Sequence, residues 1–107
     1  MRTAKVFYKN EQAGVLTQKD DGSFLFEYLD DWVLDTQKPA ISLTFPKSEK
    51  VFFAETLFPF FYHLLPEGVN KKFVCRTYKI DASDAFGILL NTAKTDTIGA
   101  VTIEKIP

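Results

Sequence analysis

Apolar side chains in this chain change their period twice, and that change limits the fold more than any single motif. Up to about residue 28 they fall on every second position. Phe24, Phe26 and Tyr28 share one face, and Leu25 and Glu27 take the other, as in a half-buried strand. From Pro59 to Ala93 they recur every third or fourth position, as on one side of a helix. From Thr97 to Ile106 alternation returns, with Val101 and Ile103 set against Thr102 and Glu104.

The pattern predicts an α+β chain. It would hold a small antiparallel sheet, or a partly closed barrel, with about three short helices inserted before the last strand. Ala4–Tyr8 and Val15–Gln18 are expected strands, separated by a turn over Asn10–Gly14. Asp21-Gly22 is expected to close the next hairpin as a type I′ turn, which needs positive φ at both central residues. Asp30–Pro39 reads as a loop or a short helical turn. Ala40–Phe45 is β-prone up to Pro46, Lys47–Lys50 is a charged turn, and Val51-Phe52-Phe53 is an apolar patch. Pro59 suits a helix's first turn, which carries Phe60, Phe61, Leu64 and Leu65, and Pro66-Glu67-Gly68 stops it. A weaker helix is expected over Val69–Tyr78, with Val69 and Phe73 one turn apart. Asp81 or Ser83 would cap a third, built on Phe86, Leu89, Leu90 and Ala93.

With 107 residues, the chain has room for one hydrophobic core, and a single domain over 1–107 is expected. Its net charge of −1 supplies no field for phosphates, so direct nucleic-acid binding is not expected. Cys75 has no second cysteine to pair with, and a buried, reduced thiol is expected. No run approaches the roughly 18 apolar residues of a membrane span, and the first ten residues hold no secretory apolar core. A reducing cytoplasm is the expected setting. The 11 Phe, Trp32 and four Tyr supply a core, but so small a domain cannot bury every ring, and some are expected on a surface that another protein covers.

Chemistry-bearing motifs are sparse. His63 and Cys75 stand alone, without ligand spacing for a metal. Asp20-Asp21 and Asp30-Asp31 lie where Asp serves local turns. No Gly-x-Gly-x-x-Gly loop, Gly-Lys-Ser/Thr loop or Mg²⁺-binding Asn/Asp set is present, so neither kinase activity nor any cofactor is expected of this chain alone.

An ordered set of short motifs does stand out. Gly14-Val15-Leu16 is followed by Phe24-x-Phe26-x-Tyr28 with Trp32, then by Ile41-Ser42-Leu43 leading to Pro46. Phe60-Phe61-x-x-Leu64-Leu65-Pro66-Glu67-Gly68, Phe86-x-x-Leu89-Leu90 and Asp96-x-x-Gly99-Ala100 complete it. From Val6 to Ile103 the chain resembles the N-terminal subdomain of the HipA family of toxin kinases. Asn91–Thr95 departs from that family, lacking the glycine often found there. In the family a kinase body follows this region, whereas this chain ends at Pro107, in the manner of the HipS-like small members of three-component toxin–antitoxin systems. The resemblance implies a non-catalytic antitoxin that binds a separately encoded HipA- or HipT-like Ser/Thr kinase and restrains it. A HipB-like helix-turn-helix DNA-binding protein would join through that complex.

Two other functions remain open at this point. The chain could complete and activate a split kinase, or it could be a single-stranded nucleic-acid module stacking bases on Tyr8, Phe24 and Phe26. For partner binding the candidate residues are Pro66, Glu67, Gly68 and Val69, a turn held on a rigid apolar base, and Trp32. Trp32 sits among polar neighbours, either as an interface anchor or folded back over the sheet's open end.

Overall fold

The computed structural model describes residues 1–93 and 100–106. In chain order these form β1 (Arg2–Tyr8), β2 (Glu11–Gln18), β3 (Phe24–Tyr28), α1 (Asp30–Leu34), β4 (Val51–Ala54), α2 (Pro59–Tyr62), α3 (Gly68–Tyr78), α4 (Ala85–Thr92) and β5 (Val101–Lys105). The strands make one antiparallel sheet in the order β4-β3-β2-β1-β5. It is open, with β4 and β5 at its edges, so the sheet forms and the partly closed barrel does not. No described helix is long and apolar enough to cross a membrane.

Both hairpins differ from expectation in their turns. Lys9 (φ 50°) and Asn10 (φ 68°) both take positive φ and join Tyr8 to its cross-strand partner Glu11. This is the two-residue geometry that matches strand twist. It moves the turn ahead of Asn10–Gly14 and starts β2 at Glu11. Gly14 therefore lies inside a strand, where a Cβ would stand 2.5 Å from the Glu27 carbonyl oxygen and 2.8 Å from the Phe26 ring. At Asp21-Gly22 only Gly22 has positive φ. Lys19 N–H donates to the Ser23 carbonyl at 2.8 Å and Gly22 N–H to the Lys19 carbonyl at 3.0 Å. Asp21 accepts from Ser23 N–H and Oγ–H at 2.9 and 2.6 Å. The side chain of Asp21 organises this longer loop.

The expected strand over Ala40–Phe45 is a folded loop. Ile41 and Phe45 enter the core while Leu43 between them is fully exposed, which a strand with every second residue on one face would not allow. Tyr28 replaces the missing ladder: its hydroxyl donates to the Phe45 carbonyl at 2.5 Å and accepts from Ile41 N–H at 3.1 Å. The strand that pairs with β3 is instead β4, the Val51-Phe52-Phe53 patch.

Phe24, Phe26 and Tyr28 are buried, as their alternation predicts. Above this face α4 packs Phe86, Leu89 and Leu90, followed by Ala93, while Phe61 enters from α2. Rings of Phe26, Phe45 and Phe61 lie 4.8–5.7 Å apart, centre to centre. The cap of α4 is Asp84, not Asp81 or Ser83. Its carboxylate accepts from Gly87 N–H at 3.1 Å and from the two terminal guanidinium nitrogens of Arg2 at 2.7 and 3.1 Å. Asp81 forms a local turn with Ser83 just before it. Gly68, at φ 57°, opens α3 and does not close the preceding helix. Residues 94–99, within the expected Asn91–Thr95 turn and the Asp96–Ala100 motif, lie outside the described residues, and β5 resumes at Val101.

Candidate functional site

Helix α3 is unusual in having no buried side chain. Isolated helices of this length are marginal, and most helical stability comes from packing an apolar face. Its inward side offers only the half-buried Lys71, Val74 and Cys75, so the expected burial of the thiol is incomplete. Its outward side carries Val69 and Phe73, one turn apart and 82% and 68% exposed. Lys79 ends the helix in the left-handed conformation, its N–H bonded to the Cys75 carbonyl.

Charge is distributed as unevenly as burial. Between Gly68 and Ile80 there are four cations, Lys71, Lys72, Arg76 and Lys79, and no acid. Among the described residues none of the four enters an ion pair. Elsewhere Arg2 pairs with Asp84, Lys38 with Glu11, and Lys50 with both Glu27 and Asp30, while Lys5, Lys9, Lys19, Lys47 and Lys105 join no ion pair among the described residues and are scattered along the chain.

The Pro66-Glu67-Gly68 loop leads directly into this helix. With Tyr62, Leu65 and Lys71 it lines a shallow groove of about 270 Å³. Glu67, Gly68 and Val69 are exposed, and Pro66 is half-buried. Thus the structure gathers the four expected loop residues at one end of α3. The sequence reading did not single out Lys72, Phe73 and Arg76 as part of this surface. Their signal was available as a basic run at helical spacing.

Trp32 is not among the groove's lining residues. It is 4% exposed, its Nε1–H donates to the Pro39 carbonyl at 2.9 Å, and its ring meets Tyr8 edge-on at 5.9 Å. Lys38 Nζ stands 4.8 Å above the ring. Of the two arrangements open to it, this is the one folded back over the sheet. Phe24 and Phe26 are buried, which removes them as base-stacking platforms. His63 is exposed on the turn after α2. Among the described residues no group of three or more His, Cys, Asp or Glu is placed to hold a metal ion.

Residues 4–104 match the family described as the HipA N-terminal domain. An uncharacterized protein of Haemophilus influenzae is 38% identical over 105 residues, spanning 98% of this chain and 93% of that one. The solved N-terminal domain of HipA toxin superposes with a TM-score of 0.73 at 32% identity, over 100% of this chain and 94% of that one.

Proposed function

The chain belongs to the HipA N-terminal domain family, and from that membership we propose that it is a non-catalytic antitoxin subunit. In this reading it binds a separately encoded HipA-like Ser/Thr kinase in the cytoplasm and restrains it. The observation that carries the reading is the family match across residues 4–104. A domain that in HipA toxin is one part of a larger whole would here meet its kinase as a partner. The Haemophilus influenzae relative is matched over 93% of its own length, which supports a domain of this extent working as a protein of its own.

The exposed end of α3 is the surface this function would use. Val69 and Phe73 hold apolar area in water, and covering it supplies a gross gain of about 25 cal/mol per Å², part of which offsets the cost of association. Pro66 restricts the loop's backbone and Gly68 permits its tight reversal, so Glu67 and Val69 meet the kinase at a reduced ordering cost. Trp32 serves the same surface indirectly, by holding the fold on which it stands.

Co-expression with a HipA-like kinase from the same genome, followed by a phosphorylation assay with and without this chain, tests the proposal. Association at micromolar concentration and a fall in phosphoryl transfer are expected. A rise in activity on adding the chain would replace restraint with activation. Failure to associate would reject the kinase as partner.

A further inference from the structure

We propose that the stripe Val69, Lys72, Phe73 and Arg76 on α3 docks onto an acidic, apolar-centred surface of the partner kinase. This rests on the kinase-binding reading above and adds the chemistry of the contact. These four residues lie at positions i, i+3, i+4 and i+7 of one helix, so they present a single face. Two are exposed apolar side chains, and the other two are cations without an ion pair among the described residues. A surface that accepts all four must pair an apolar depression with carboxylates.

The charge of the whole chain narrows the occupant. Its net charge is −1, and the segment from Gly68 to Ile80 carries +4, so the remainder carries −5. A nucleic acid long enough to reach past α3 would meet that acidic remainder and be repelled. A second copy could also place its acidic body against α3, as a reciprocal pair or a ring, and sedimentation of the chain alone tests that occupant. A Ser/Thr kinase holds carboxylates for its Mg²⁺ ions and its nucleophile in its cleft, so the negative field such a partner offers a cationic helix is centred there. Opposite charges also steer the encounter and fix the orientation of docking.

Binding of the full chain to the co-purified HipA-like kinase, measured by calorimetry at low and high salt, tests this. Lys72→Glu with Arg76→Glu is expected to weaken binding by about tenfold or more, as is Phe73→Ser. The charge-matched control Lys5→Glu with Lys105→Glu, on two sheet strands, is expected to stay within about twofold. Raising salt from roughly 50 to 500 mM should weaken the wild type and narrow its gap from the reversed variant. Melting curves verify that each variant is folded. Lys72→Gln with Arg76→Gln supplies an intermediate loss that does not depend on repulsion. If the reversed variant binds like wild type, the α3 contact is wrong while kinase binding stands. If the wild type does not bind the kinase, both fall. Binding of an about 20-nucleotide single-stranded oligonucleotide that the same reversals abolish would give α3 to nucleic acid instead. Self-association in sedimentation, lost on the same reversals, would give it to a second copy. Either result overturns the proposal.

Discussion

Tyr28 ties both ends of the loop over residues 41–45 to the sheet with one hydroxyl. Its place on the inner face was legible from the alternation of Phe24, Phe26 and Tyr28. The partners of its hydroxyl were not, because Ile41 and Phe45 come from a loop with no periodic signal of its own. Tyr28→Phe keeps the ring and leaves a buried N–H and a buried carbonyl unpaired. Each such group costs about 1–3 kcal/mol, so a loss of about 2–4 kcal/mol is expected in urea unfolding. Trp32 was hidden for a related reason. Its polar neighbours looked like solvent-facing loop, yet Pro39 accepts its indole N–H and Lys38 covers its ring. In the isolated protein its fluorescence is therefore expected at short wavelength. Trp32→Ala should cost about 3–5 kcal/mol, as for other buried aromatics. A variant as stable as wild type, or emission typical of water, would contradict the burial.

Among the elements, those that bury an alternating or helical face were readable and those defined by a neighbour were not. β3 and α4 announce themselves because their apolar residues all point one way. The segment Ala40–Phe45 has strand-like residues, but the place beside β3 belongs to Val51–Ala54, and pairing partners are not written into local composition. For α3 the sequence foretold a helix and the spacing of Val69 and Phe73. It could not foretell that nothing among the described residues covers them. This has a kinetic consequence. Amides of α3, on a helix without a buried side chain, should exchange through shallow local opening. Those of α4, from Phe86 to Leu90 all buried, should exchange only near global unfolding. Hydrogen-exchange mass spectrometry should find α3 faster than α4 by orders of magnitude in the free chain, and slowed in the proposed complex with a kinase. Glu67→Ala with Val69→Ala should weaken the proposed complex while leaving the melting temperature nearly unchanged, since both side chains are exposed. Loss of stability in that pair would mean the loop is structural.

Titrating groups of the molecule as a whole set two edges to its stability. On the acid side, Asp84 is held below its ordinary value of 3.8 first by its hydrogen bonds from Arg2 and then by Gly87 N–H. Asp21 and Asp81 are lowered in the same direction by their bonds with Ser23 and Ser83. A carboxylate whose folded value is depressed adds stability that is full above its ordinary value. That stability is lost as pH falls through the folded one. On the alkaline side, burial raises the Tyr28 phenol above its ordinary value of 10.0. Lys50 is raised above 10.5 by its bonds to Asp30 and Glu27. Groups raised in the folded state add stability that is full below the ordinary value and lost as pH climbs through the folded one. Unfolding free energy should thus be level between about pH 5 and pH 9 and fall at both ends. Asp84→Asn removes the Arg2 ion pair and keeps a residue that can cap α4. It should cost about 0.2–1 kcal/mol on the plateau, as partly exposed ion pairs do, and flatten the acid limb. Tyr28→Phe should lower the plateau and flatten the alkaline limb, leaving the smaller part due to Lys50. Urea titrations of the three proteins from about pH 2 to pH 11 separate these contributions. An acid limb unchanged by Asp84→Asn would show that the Arg2 contact, which joins the start of β1 to the cap of α4, does not govern how the fold yields to acid.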